Sequence, residues 1–199
     1  IERLVRIFMR QGARRVVVII NDRVPETKAF LTRLKEELPI ELVVKTTPSS
    51  MHSFYEISHL LEGERFCLTT VDTIFHEDEF ARYIEAFRTS EADGLMAVTD
   101  YVDDEKPLYI STTDDLRITG FHDQPTPDCR YISGGIYCLT PKALDTLRRC
   151  MDEGLSRMRN FQRQLVADGL CLEAWPFSKI VDVDHAGDIV KAEEFLREE

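Results

Sequence analysis

Nowhere in the 199-residue sequence is there an apolar run long enough to span a bilayer, and no secretory signal is visible. Cysteines are few and unpatterned: Cys67, Cys129, Cys138, Cys150 and Cys171 are odd in number, widely spaced and free of any C-x-x-C pair. Such spacing indicates neither a disulfide framework nor a zinc site, and it fits reduced thiols in a cytoplasmic protein. Positive charge is in deficit, with 25 Lys and Arg against 36 Asp and Glu and a formal charge of -11. A general nucleic-acid binder needs basic surface to displace counterions, so the charge argues against that class, whereas a nucleotide can be held by a few local groups. Repeats, low-complexity tracts and linkers are also missing. What remains, with 43% hydrophobic and 31% charged residues, reads as one globular domain large enough to bury a substantial core.

The hydrophobic pattern alternates between helix and strand periods. IERLVRIFMRQG places Ile1, Leu4, Val5 and Phe8 on one helical face, and the helix is already under way at the first residue, so a preceding segment is expected. VVVII, residues 16–20, is a β-branched run of the kind found in parallel strands covered on both faces. Pro25 opens a helix with Phe30, Leu34 and Leu38 on one face, and residues 41–47 form a second strand. The helix of TPSSMHSFYEISHLL follows, with Met51, Phe54, Ser58 and Leu61 on one face. Its serine-rich entry can cap the helix, or its exposed N–H groups can meet a base edge or an anion. His52 on the first turn is left unassigned. Short strands around 108–110 and 116–121 read as an antiparallel excursion, after which the helix of residues 155–167 offers Met158, Leu165 and Val166 for packing. Arg157, Arg159 and Arg163 there have the spacing of a solvated face. CLEAWPF and KIVDVD form a last pair of strands, and a closing helix packs Ile189, Ala192 and Leu196.

Three places call for a chemical reason. FCLTTVDTIF, residues 66–75, reads as a buried strand that ends in a lone carboxylate, Asp72. Ligands in open α/β sheets bind outside the carboxyl ends of strands, where a carboxylate can hold a divalent cation against a phosphate. The plainer alternative is that Asp72 caps the next helix, whose first-turn Glu77, Asp78 and Glu79 are accounted for by the helix dipole. Gly134 and Gly135 lie side by side in a strand, which fits either a close backbone approach to a ligand or a bulge. Asp182 and Asp184 alternate with Val181 and Val183, so both carboxylates face one side and need a cation or base between them.

The order of these segments resembles the nucleotidyltransferase family, the nucleoside-diphosphate-sugar pyrophosphorylases. The resemblance begins at IERLV, inside the helix often written P-L-I-E-R-L, and continues through TPSSMHS, TTVDTIF, SGGIY and IVDVDHAGDI. It covers nearly the whole chain, and its motifs are moderately specific together and weak singly. It implies an α/β, Rossmann-like three-layer sandwich with a mostly parallel mixed sheet, of the nucleotide-diphospho-sugar transferase type. It further implies one domain over 1–199, with a first strand and a G-x-G-x-R loop lying ahead of the chain given. By position, Asp72 and Asp182 match the family's metal-binding aspartates, with Asp184 a third candidate ligand where the longer motif has glycine. Ser49, Ser50 and Met51 would lie by the base, and Ser133, Gly134 and Gly135 by the sugar. Asp123 stands where the family has the acid of E-K-P, which holds sugar hydroxyls. Gln124 replaces that motif's lysine, and Arg130 is the candidate to stand in for it.

The activity so implied is transfer of a nucleoside monophosphate from a nucleoside triphosphate to a sugar 1-phosphate or similar phosphorylated small molecule. Magnesium would be the cofactor and pyrophosphate the product, with no nucleic-acid or membrane partner and with room for a homo-oligomer. Two alternatives stay open: a non-catalytic nucleotide- or sugar-binding domain, and a glycosyltransferase of related fold using Asp182-Val183-Asp184 as a D-x-D motif.

Overall fold

The computed structural model describes residues 1–102, 106–183 and 185–197. Among the described residues, seven α-helices and ten strands follow one another, beginning in the order α1 (Glu2–Arg10), β1 (Val16–Ile20), α2 (Pro25–Glu37), β2 (Ile40–Val44), α3 (Ser50–Ser58), β3 (Phe66–Thr69), β4 (Thr73–Ile74), α4 (Glu77–Thr89) and β5 (Gly94–Thr99). The second half comprises β6 (Tyr109–Thr112), β7 (Ile118–His122), β8 (Cys129–Leu139), α5 (Lys142–Asp152), α6 (Met158–Ala167), β9 (Leu172–Pro176), β10 (Val181–Asp182) and α7 (Ala186–Arg197).

The β-branched runs of β1 and β2 pair in parallel, as their composition suggests. The larger sheet runs β7-β6-β8-β5-β9, with β3 also on β8. The sheet is mixed, as expected, but its ladders are more often antiparallel than the β-α rhythm implies. Strands β3, β5 and β9 share a direction, and β8 runs against them from a position between β3 and β5. At eleven residues, β8 is long enough to serve two neighbours along one edge: Cys129–Ile132 pairs with β6, and Ile136–Leu139 pairs with β3. The glycine pair occupies the stretch between.

Three apolar clusters hold the layers together. One joins α3, α5 and α6 to one face of the large sheet through Phe54, Met96, Leu147 and Phe161. A second joins α1 and α4 to the other face through Ile7, Phe80, Tyr83 and Ile136, and a third packs Val5, Leu31 and Leu34 against Val18 and Ile40. Tyr83 is fully buried, and its hydroxyl donates to Leu95 O (2.5 Å) and accepts from the Cys138 N–H (2.9 Å), so α4 grips β5 and β8 together. Cys67 of β3 stands directly opposite Cys138 of β8.

Packing corrects three sequence expectations. In α2 the buried residues are Leu31 and Leu34, while Phe30 is exposed, so the apolar face is rotated by one position. In α7, Ala192 and Phe195 are buried and Ile189 is half exposed, because Phe195 is drawn onto the His76 ring at 4.0 Å. The last two strands do not pair with each other: β9 joins β5 in parallel, and β10 crosses to β4.

Polar side chains tie the helices to this frame. Asp93 accepts from Lys142 Nζ (2.7 Å) and from the Cys171 N–H (2.9 Å). Asp168 accepts from Thr146, Gln164 and Arg149, joining α5 to α6. Burial works to raise both carboxyls, yet these hydrogen bonds hold each below the usual carboxylate range. A depressed folded-state pKa stabilises above the unfolded value, roughly pH 4, and that stability is lost as pH falls through the folded value. Asp168→Ala is therefore expected to lower stability by about 1–3 kcal/mol at pH 7. Urea titrations should show the gap between wild type and variant closing below about pH 4, where the unfolded carboxyl also protonates.

Candidate functional site

The site is built where β3 ends. After Thr69 the chain bends through Thr70–Asp72 and re-forms as β4, with the bend closed by a hydrogen bond between the Thr70 and Thr73 hydroxyls (2.7 Å). Opposite lies β10, with Asp182 in register with Thr73 and Val181 with Ile74. The ladder continues one rung further, where the Val183 N–H donates to Asp72 O at 3.1 Å. Two aspartates 110 positions apart in sequence thus come to adjacent places on one two-stranded ladder.

Asp72 is not a helix cap, since the N-cap of α4 is His76. Its carboxylate oxygen Oδ1 is buried and has no hydrogen-bond partner. Buried carboxylate oxygens without a donor are unfavourable, and a cation is one of the few groups that can satisfy them. The donor set, hard carboxylate oxygen on Asp72 with a second carboxylate on the paired strand, suits magnesium. No cluster of three or more His, Cys, Asp or Glu residues of metal-binding type occurs among the described residues. Asp184 lies outside the described residues.

The floor is β8. Its register against β5 shifts between Met96 and Val98, so Gly134 and Gly135 form a bulge. A Cβ on Gly134 would fall 2.3 Å from Ile180 Cδ1 and 3.2 Å from Ala97 O, so the segment leading to Asp182 lies flat on a bare backbone. Gly135 has φ +72, a conformation side chains disfavour, and its Cα faces the Thr73 and Thr70 hydroxyls. Both readings of the glycine pair therefore meet: it is a bulge, and it lets other groups approach closely. Two residues on, the Tyr137 phenol is pushed up to about 12, chiefly by burial and further by the charge of Asp182, against the lowering effect of hydrogen bonds with Ser133 and Gln162. It stays protonated beside the carboxylate.

Helix α6 braces this floor, a role its sequence does not announce. Gln162 is 2% exposed; its amide donates to Tyr137 Oη (3.2 Å) and accepts from Ser133 Oγ (3.2 Å). Its signal was a lone amide on the helix face that carries Phe161 and Leu165, a place where a polar side chain must have partners. Arg159, one turn before Gln162, and Arg163, the next residue, converge on Asp123, which accepts from both; the expected solvated arginine face is instead a clamp on the loop after β7. At the helix start, the Arg157 N–H donates to Ser49 Oγ at 3.4 Å.

The TPSSMHS turn is placed at the carboxyl end of β2. Ser49 is the N-cap residue of α3, but its hydroxyl hydrogen-bonds to His52 Nδ1 (2.8 Å) instead of capping. Ser50 is exposed, and the Met51 side chain is fully buried in the core, leaving Met51 only its backbone to offer a ligand. Asp123 has one guanidinium group on each oxygen, Arg159 on Oδ1 and Arg163 on Oδ2. Arg130 rests over the ring of its neighbour Tyr131. The structure thus brings Asp72, Asp182, Ser133, Gly134 and Gly135 into one place, with Asp123 and the Ser49–Met51 turn joined to it through α6.

The nucleotidyl transferase family model matches residues 1–199. The chain belongs to that family. The sequence matches no curated protein. Solved nucleotidyltransferases share the fold. The inositol-1-phosphate CTP transferase from T. maritima superposes with a TM-score of 0.78 at 17% identity, over 96% of this chain and 80% of that one. A putative glucose-1-phosphate thymidylyltransferase from Bacillus anthracis gives 0.81 at 15% identity, over 96% and 79%. The CTP:phosphocholine cytidylyltransferase from Streptococcus pneumoniae gives 0.69 at 15% identity, over 98% and 84%. These matches bear out the α/β, nucleotide-diphospho-sugar transferase type of fold.

The close fit at Gly134 sets an expectation for this nucleotidyltransferase. Gly134→Ala should lower stability by about 1–3 kcal/mol by overpacking. Ile180→Val, which removes the methyl group that a new Cβ would strike, should recover part of that loss in the double variant. Urea denaturation of the two single variants and the double variant measures both effects.

Proposed function

We propose that the chain transfers a nucleoside monophosphate from a nucleoside triphosphate to a sugar 1-phosphate or a similarly phosphorylated small molecule, releasing pyrophosphate, with magnesium held by Asp72 and Asp182. The observation that carries this reading is the buried, partnerless Asp72 Oδ1 one rung from Asp182 in a family member of this fold.

The reaction balances without a protein nucleophile. An oxygen of the acceptor phosphate forms a bond to the α-phosphorus, the bond from that phosphorus to the β-bridging oxygen breaks, and its electron pair leaves on pyrophosphate. Magnesium, when bound, supplies the charge neutralisation that lets three crowded phosphates and a fourth share one site. The chain's own part is positioning. The Val183–Asp72 backbone bond and the Thr73–Asp182 pairing fix the two aspartates on adjacent rungs of one ladder. Tyr137 remains a neutral phenol beside Asp182, so it adds no second negative charge to a site that must accept phosphates.

The reading includes a strand and a glycine-rich phosphate loop ahead of the residues given. Supporting it, β1 pairs only with β2 and β3 only with β8 among the described residues, yet Val17 and Ile19 of β1 pack on the same core as Phe66 of β3. One further strand between those two open edges would join the sheets. All five cysteines are free thiols, which fits the cytoplasm, and no helix of the described residues is long and apolar enough to cross a membrane.

The test is pyrophosphate release by the full-length protein, offered each nucleoside triphosphate with a panel of sugar phosphates and phosphocholine. Release should require magnesium, and Asp72→Asn or Asp182→Asn should lower the rate by about 100–1,000-fold or more, the scale of removing one electrostatic stabiliser. Nucleotide binding without release from any pair would instead favour the non-catalytic reading, and hydrolysis of a sugar nucleotide would favour the glycosyltransferase. A second expectation concerns stability without turnover. Metal-free Asp72→Asn should be about as stable as wild type, because the residue is only partly buried and Oδ1 has no hydrogen bond to lose. Magnesium should raise the melting temperature of wild type and not that of the variant.

A further inference from the structure

Arg159 and Arg163 sit one turn apart on the same face of α6, and each guanidinium is fixed by uncharged acceptors before it meets Asp123. Arg163 Nε donates to Phe121 O (3.2 Å) and its Nη1 to Asn160 Oδ1 (3.2 Å), while Arg159 Nη2 donates to Lys106 O (3.1 Å). What each has left is a charged edge aimed at one point. There Asp123 presents one oxygen to each, with Arg163 Nη2 at 2.7 Å from Oδ2. Among the described residues, two cations thus meet on one carboxylate, in a chain whose net charge is -11.

We propose that Arg159 and Arg163 form an anion cradle that Asp123 fills from within the chain, and that a phosphoryl group binds there by displacing the Asp123 carboxylate. On the nucleotidyl-transfer reading, on which only the choice of ligand rests, that group is the acceptor's phosphate.

Three observations carry the inference. The cradle is reachable: the side chains of Asp123, Arg159 and Arg163 are 54%, 30% and 34% exposed. At such exposure a pair of ion pairs gives little stability, so holding a loop is a weak reason for orienting two guanidinium groups from behind. A planar guanidinium fork matches a phosphate as well as a carboxylate, and a phosphate dianion matches the charge of two forks where a carboxylate matches one. The site is also continuous with the aspartate pair. Gln162, between the two arginines on α6, holds Ser133 and Tyr137, and Asp182 acts on that same tyrosine. The Arg163 and Arg159 hydrogen bonds keep the Asp123 carboxyl below the usual range, so it is ionised and occupies the cradle at neutral pH.

Self-occupancy makes a signed prediction that a simple loop latch does not. Calorimetric titration of the metal-free full chain with inorganic phosphate, at low ionic strength, should show binding to wild type. Binding should weaken about tenfold or more in Arg159→Gln/Arg163→Gln, the loss of two charge-assisted forks. It should tighten several-fold in Asp123→Asn, which removes the competing carboxylate, and Asp72→Asn should leave it unchanged. Circular dichroism guards against misfolding, and Arg159→Lys/Arg163→Lys, which keeps the charge but loses the fork, should fall between wild type and the glutamine variant. The proposal is overturned if Asp123→Asn binds phosphate no better than wild type, if the glutamine variant binds as wild type does, or if phosphate binding follows Asp72. It stands independently of turnover: the same pattern in a protein that releases no pyrophosphate would sink the transferase reading and keep the cradle. Turnover with an unchanged acceptor KM in the glutamine variant would keep the transferase reading and overturn the acceptor's phosphate as the cradle's ligand.

Discussion

The arrangement of the site depends on a ladder of two short strands. A single backbone hydrogen bond, from the Val183 N–H to Asp72 O, extends the pairing of β4 with β10 to the aspartate that ends the bend after β3. Two rungs are too few to be stable by themselves, so the ladder persists because both strands are held from outside. Behind β10, the Phe177 N–H donates to Val98 O, and Glu79 of α4 accepts from both the N–H and the hydroxyl of Ser178. Ile180 rests on Gly134, and the Lys179 ammonium lies over the rings of Tyr101 and Phe195. Beneath β4, Phe75 and Phe80 stack at 4.8 Å in the core below the bend. The second aspartate is therefore positioned by α4, β5, β8 and α7 together.

Helix α6 plays a comparable part on the opposite side of β8. From one helix, backbone and side-chain groups reach the serine turn of α3, the loop after β7 and the glycine strand. The places that the family resemblance implies for the base (Ser49–Met51) and for the sugar (Asp123 and Ser133–Gly135) are in this way referred to a single element. A shift of α6 would move these places together.

The sequence made some of this legible and hid the rest for identifiable reasons. Asp72 and the glycine pair stood out because each violates a local rule, a carboxylate where a strand should turn and two residues without side chains inside a strand. The α/β class followed from the alternation of periods. The identity of strand neighbours did not: nothing local to KIVDVD says that it leaves CLEAWPF to join TTVDTIF. Arginine spacing on α6 suits a solvated face, and only the fold brings the loop carrying Asp123 across it. Gln162 was hidden for the same reason, since its partners lie 25 and 29 residues away on another element. The faces of α2 and α7 were misplaced where two apolar phases fit equally well, Phe30 or Leu31 and Leu196 or Phe195, and neighbouring elements made the choice.

The two cysteines that face each other across β3 and β8 give this architecture a built-in clock. Cys138 is fully buried on the strand that carries the glycine bulge, and burial, with Cys138 opposite, pushes the thiol of Cys67 up, so that little thiolate is present at neutral pH. An alkylating reagent can reach Cys138 only when β8 parts from its neighbours. The rate at which that sulfur is modified thus reports the opening of the very strand on which both aspartates rely, and it can be followed in the native protein without a substrate, a metal or an introduced probe.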